Sequence, residues 1–172
     1  MGNMKPIASA LALAVYGSGA LAQAPVLEEV IVTATKRAES LQDTPVTVNA
    51  FSSDTIQEAG INNAGDLAVM TPALAINVNT SPFNARMTIR GVGTAQTDPA
   101  LEPSVGLFVD GVFIGRTGLG MSDLTDIERI EVLQGPQGTL YGKNTNAGAI
   151  SVITKRPNLE EFEGHLEASA GN

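Results

Sequence analysis

The chain has no cysteine and no tryptophan, a single histidine, and 10 basic residues against 18 acidic ones. Without cysteine neither a disulfide framework nor a thiolate metal site can form, so stability has to come from burial or from partners. With His165 alone, no Ser-His-Asp or Cys-His catalytic arrangement can be assembled elsewhere. A formal net charge of −8, with no basic stripe, argues against nucleic acid as a partner, because phosphate binding needs clustered Lys and Arg. Aromatic residues are 4% of the chain, which limits it to a modest core. Long hydrophobic runs are missing too. The stretch IASALALAVY at 7–16 is about ten residues, whereas a helix crossing a bilayer needs roughly 20.

That short run reads instead as the h-region of a signal peptide. Lys5 supplies the positive n-region, and residues 17–22 form a small-residue c-region ending in Ala-Leu-Ala. Cleavage is expected after Ala22, leaving Gln23 first; a cut after Ala24 would put Pro25 next to the scissile bond and is disfavoured. The exported part carries most of the 18 glycines and 9 prolines, a composition that predicts turns and short strands in place of long helices.

The first local signal is EEVIVTATKR at 28–37, where Val30, Ile31, Val32 and Thr33 favour extended chain with no evident partner beside them. An unpaired strand of that kind is an aggregation hazard and calls for a reason. PVTVNAF at 45–51 alternates as a strand. Two short helices follow: TIQEA, capped by Ser53 or Asp54 with Gln57 in a capping-box position and stopped by Gly60, and AGDLAVM, capped by Asn63 and ended at Thr71-Pro72. ALAINV and RMTIRGV are strands flanking a loop at 79–85, and a second loop at 94–104 holds Pro99 and Pro103. VGLFVDGVFI predicts a tight hairpin, since Asp110-Gly111 tolerates the two positive φ angles of a type I′ turn. After a third loop at 115–122, IERIEVL and GAISVITK are strands around the long turn QGPQGTLYGKNTNA. The expectation is a mixed α+β domain over residues 41–156 with short strands and two short helices. FEGHLEASAGN then alternates strictly, Phe162, Gly164, Leu166, Ala168 and Ala170 against Glu161, Glu163, His165, Glu167 and Ser169, as a barrel strand between lipid and a watery lumen would.

Enzyme chemistry finds no support. Read back from Gly142-Lys143, a phosphate-binding P-loop needs glycine where Gln137 stands and a hydroxyl where Asn144 stands. Gly91-Val92-Gly93 lacks the third glycine of a dinucleotide fingerprint. Glu163, His165 and Glu167 share one strand face, but positions i and i+2 lie nearly 7 Å apart, too far for three to converge on one Zn²⁺.

Four stretches carry a resemblance. IERIEVLQGPQGTLYGKNTNAGAISVITKRP at 127–157 resembles the end of the plug domain of TonB-dependent outer-membrane receptors; EEVIVTATKR looks like that family's TonB box, MTIRGVG like its central Ile-Arg-Gly strand, and LFVDGVFI like its mid-plug hairpin. They occur in the family's order, after a signal peptide and before an alternating strand. The resemblance implies this organisation: signal peptide at 1–22, TonB box and linker at 23–40, a globular plug at 41–156, and at 157–172 a linker and the start of the first barrel strand. It implies an outer-membrane location in a Gram-negative bacterium and a plug seated in a barrel of about 22 strands. Such a barrel needs roughly 220 residues, while only 16 residues follow Arg156, so the chain is expected to be the N-terminal part of a longer receptor. The resemblance further implies no cofactor and four kinds of partner: TonB with its inner-membrane energising complex, the receptor's own β-barrel, the outer membrane through that barrel, and a small-molecule substrate such as a siderophore or carbohydrate.

The implied site residues follow from it. Glu29, Val30, Ile31, Val32 and Thr33 would receive a strand from TonB, a mode in which backbone hydrogen bonds supply affinity with little demand on side chains. Arg90 matches the arginine that pairs with barrel-wall glutamates and locks the plug, while the companion arginine before Gly-Pro is Gln134, which carries no charge. Phe83, Gln96 and Arg116, one from each loop, are the residues best able to touch substrate. Two other readings compete: a stand-alone soluble periplasmic plug-like binding or regulatory module, and, far less well supported, a secreted hydrolase.

Overall fold

A computed structural model describes residues 30–78, 85–94, 101–116, 126–160 and 164. Residues 1–22, expected to be a signal peptide, and Glu29, Phe83, Gln96 and the alternating C-terminal segment other than Gly164 lie outside the described residues. Nine strands and three short helices occur among those described. In chain order they are β1 (Ile31–Val32), β2 (Glu39–Ser40), β3 (Thr47–Ser52), α1 (Ser53–Glu58), α2 (Ala64–Met70), β4 (Leu74–Val78), β5 (Ala85–Ile89), β6 (Val105–Val109), β7 (Val112–Phe113), β8 (Ile127–Gln134), α3 (Gly138–Tyr141) and β9 (Gly148–Thr154).

A five-stranded sheet in the order β3-β8-β9-β6-β7 forms the frame, with β6 and β9 parallel and the other pairs antiparallel. Two small ladders, β1-β2 and β4-β5, flank it. Parity along the strands makes two cores. Ile130 and Val132 of β8, Ile150 and Val152 of β9, and Val105 and Leu107 of β6 face one side, where they pack with Ile56, Leu67, Leu74, Met87 and Ile89 from the helices and the β4-β5 ladder. Leu133, Ala149 and Phe108 face the other, beneath Val32, Ala34 and Tyr141. A register shift between Ile127 and Arg129 lets Ile127 join the first core despite its odd spacing from Ile130.

The turns behave as their residues dictate. Asp110 and Gly111 have φ of 48° and 81°, the pair of positive angles a type I′ hairpin needs, and they join β6 to β7. Gly148 has φ +153° and brings β9 so close to β8 that a Cβ there would lie 2.3 Å from the Leu133 carbonyl oxygen. Asn63 caps α2 as its position predicts, its Oδ1 accepting from Gly65 and Asp66 while Asp66 accepts from the Asn63 amide.

Three details differ from the sequence reading. The cap of α1 is Ser52, which accepts from the Thr55 amide; this puts Thr55 where Gln57 was expected, because the helix starts as soon as β3 ends. A third helix, α3, lies inside the segment read as one long turn, and at four residues it is too short to show any periodicity. The polar stretch after the first β-prone run supplies β2, the partner strand the sequence did not reveal.

Candidate functional site

The segment at 30–41 folds back on itself. Lys36, at φ 64°, turns the chain, its amide donating to the Thr33 carbonyl, and β2 then returns alongside β1 with Ile31 opposite Ser40 and Val32 opposite Glu39. The Leu41 amide extends the ladder to the Val30 carbonyl. Backbone pairing needs no apolar side chains, which is why Glu39 and Ser40 serve. The side chains of β1 divide. Val30 and Ile31 are exposed, whereas Val32 and Ala34 are wholly buried against the sheet. The β-prone run is therefore docked on its own domain.

Polar groups fasten it. Glu131, on the middle of β8, has no exposed surface, and its Oε1 accepts from the Thr33 amide (2.7 Å), the Thr33 hydroxyl (3.1 Å) and Arg129 Nε (2.9 Å). Arg129 Nη2 also donates to Thr33 Oγ1 at 3.3 Å, and the same guanidinium contacts Glu128. At the turn, Lys36 Nζ lies 4.0 Å from the centroid of the Tyr141 ring and 5.4 Å from that of Phe108, within cation–π range of both. Those rings meet edge to face at 4.9 Å. Burial pushes the Tyr141 hydroxyl up to about 12; the Glu131 charge adds to this, and a hydrogen bond with Ser151 works against it.

At the end of the sheet where β8 finishes, Arg90 and Gln134 come together across 44 positions of sequence. Arg90 Nε donates to Gln134 Oε1 at 3.0 Å, and Gln134 Nε2 donates to Asn49 Oδ1 at 2.6 Å. Arg90 has φ 52°, is held by its amide to the Ala73 carbonyl, and remains exposed. Of the three loop residues expected to meet substrate, only Arg116 is described; it is exposed, just beyond β7. Near the second loop, Lys143 pairs with Glu102 at 2.7 Å, and that hydrogen bond holds the Glu102 carboxyl below its usual range.

Sequence reasoning missed Glu131, Arg129, Lys36, Tyr141 and Phe108. One signal was present: in IERIEVL the second glutamate shares parity with Leu133, so a carboxylate stands on a face that must be buried.

These features define a small α+β domain whose N-terminal strand is docked on its own sheet. The chain belongs to the TonB-dependent receptor plug domain family, whose model matches residues 40–149. It is 34% identical over 143 residues to the pesticin receptor of Yersinia pestis, covering 83% of this chain and 21% of that protein. Against the ferripyoverdine receptor of Pseudomonas aeruginosa identity is 30% over 146 residues, covering 83% of this chain and 17% of the relative. The crystal structure of the ferric yersiniabactin uptake receptor from Yersinia pestis superposes with a TM-score of 0.60 at 34% identity, over 66% of this chain and 17% of that one. The chain thus spans about a fifth of the curated relatives it matches. Its docked strand β1 lies ahead of the matched residues.

Proposed function

We propose that this chain is the plug of an outer-membrane receptor that imports a scarce nutrient, a ferric siderophore or another organic compound, using energy delivered by TonB. In this reading Glu29, Val30, Ile31, Val32 and Thr33 are the tether that TonB grasps. The observation that carries it is the state of β1: a two-residue strand paired on one edge to an equally short strand, with Val30 and Ile31 exposed, so that an incoming strand can compete for it. Pulling on that tether bears on the sheet through Thr33 and rearranges the plug so that bound substrate passes.

Arg90 is assigned to the seal with the barrel wall, its guanidinium oriented by Gln134 and Asn49. A neutral glutamine in the second position leaves one charged fork for a wall carboxylate. Phe83, Gln96 and Arg116 are assigned to substrate contact, on loops where binding residues concentrate. The relative named for ferripyoverdine supports a small, chelated substrate.

The decisive experiment deletes residues 28–33 from the receptor. Energised uptake is expected to vanish while substrate binding at the cell surface persists. Uptake that survives the deletion overturns the tether assignment.

A further inference from the structure

We infer that Glu131 is the anchor that sets whether the N-terminal strand is docked or free, a positioning residue for the tether; the inference rests on the function proposed above and deepens it. Glu131 sits on β8, which has β3 on one side and β9 on the other, and its face of the sheet carries the apolar Leu133, Ala149 and Phe108 beside Arg129 and the buried Ser151 opposite it. A carboxylate in such a place is costly unless donors surround it. Three donors reach its Oε1, and two of them, the Thr33 amide and hydroxyl, belong to the tether. Its Oε2 is buried with no hydrogen-bond partner among the described residues. Withdrawing β1 removes both tether donors from Oε1 and uncovers the carboxylate to water, so what returns the strand to its seat is the net worth of hydrogen bonds to a charge over its hydration.

The same geometry fixes register. The Thr33 amide must meet one point on β8, and a slip of one residue would turn Val32 and Ala34 out of their buried positions. A pull arriving from residue 29 meets the β1-β2 ladder at Val30 and Ile31 and then Thr33, before it reaches the Lys36 turn. Breaking this anchor leaves the backbone ladders of β3, β8 and β9 intact, so release of the tether is a step separate from opening of the sheet.

The test uses the intact receptor in outer-membrane vesicles with any cysteines outside this stretch removed, since these 172 residues contain none. A thiol at Val32→Cys, buried in the docked state, reports undocking; a thiol at Val152→Cys, buried in the opposite core, reports general opening. Glu131→Gln is expected to speed modification at position 32 about tenfold and leave position 152 protected, the scale expected for losing hydrogen bonds to a charge. Thr33→Val, which leaves the sheet untouched, is expected to give a smaller increase, and that increase should shrink in the Glu131→Gln background, where a neutral amide oxygen replaces the carboxylate. The anchor is overturned if position 32 is unaffected by both substitutions. It is equally overturned if Glu131→Gln exposes positions 32 and 152 together while Thr33→Val changes nothing. No energising partner takes part in the labelling, so failure of the deletion experiment would count against the tether's function and not against this anchor.

Discussion

The ammonium of Lys36 stands 4.0 Å above the ring of Tyr141, so the turn that follows β1 is held by a contact independent of the Glu131 hydrogen bonds. Lys36 is at the tether's bend and Tyr141 is in α3, 105 positions later in the chain. The pairing should therefore measure how firmly the bend is seated. A double-mutant cycle of Lys36→Met and Tyr141→Leu, read by the reactivity of a thiol at Ala34→Cys in the intact receptor, is expected to give a coupling of about 0.5–2 kcal/mol. Ala34 is wholly buried, so its thiol responds only when the segment lifts. Independent effects that simply add would show the contact to be incidental.

Tyr141 also gives the docked segment a pH dependence. Its hydroxyl is pushed up from 10.0 to about 12, first by burial and then by the neighbouring Glu131 charge. A raised value means that the folded state holds the proton more tightly than the unfolded one. The corresponding stability is complete below pH 10 and is lost as pH rises toward 12. Protection of the Ala34→Cys thiol should fall over that window in the Tyr141 protein and show a smaller fall in Tyr141→Phe, which has no phenol to ionise. Lys36 faces the same ring and Glu131 and Ser151 lie beside it, so the difference between the two proteins, not either curve alone, isolates the phenol.

Much of this fold was legible because its punctuation is local. Asp110-Gly111 demands positive φ at both positions, and Asn63 followed by Asp66 forms a reciprocal cap; each works within four residues, so sequence order alone reveals it. The long-range features were not legible. The parallel pairing of β6 with β9 joins strands separated by a hairpin, a loop and β8, and no local pattern specifies it. The partner of β1 is made of Glu39 and Ser40, which pair through backbone groups that carry no side-chain signature. Glu131 fell between the two cases. Its parity marked it as buried, but that Thr33 would come to satisfy it depends on a contact across 98 positions. Arg90 and Gln134 were singled out separately through resemblance; their hydrogen bond emerges only when β5 and β8 are placed in space.

Close approach of β8 and β9 makes Gly148 intolerant of any side chain. A Cβ there would meet the Leu133 carbonyl oxygen at 2.3 Å and Ile89 Cδ1 at 2.7 Å, with φ already at +153°. Backbone cannot yield as a flexible side chain can, so the ladder between Leu133 and Ala149 must part. Gly148→Ala is expected to lower stability by at least about 1–3 kcal/mol, the usual scale of overpacking a tight site. Gly111→Ala offers a contrast, since nothing lies within 4 Å of its Cβ position. Only the left-handed backbone resists there, at about 1–2 kcal/mol. Measured by the temperature at which the plug becomes protease-sensitive in the receptor, Gly148→Ala should fall further than Gly111→Ala.

Arg90 decides how the plug is sealed under the proposed function. Among the described residues its guanidinium spends one donor, Nε, on Gln134, and in this proposal the rest of the exposed fork meets a carboxylate on a surrounding wall. Gln134 is itself fixed by Asn49, so the fork is aimed by two uncharged side chains on neighbouring strands. Arg90→Ala is expected to loosen the plug and raise the leak of bulky antibiotics into cells. Gln134→Leu should give a weaker leak, because the charge stays and only its aim is lost, whereas Arg90→Lys should fall between them, a point charge lacking the planar fork. A leak ordered Arg90→Ala, then Arg90→Lys, then Gln134→Leu supports the seal. Equal and unchanged permeability in all three would mean that Arg90 is an ordinary solvated strand-end residue.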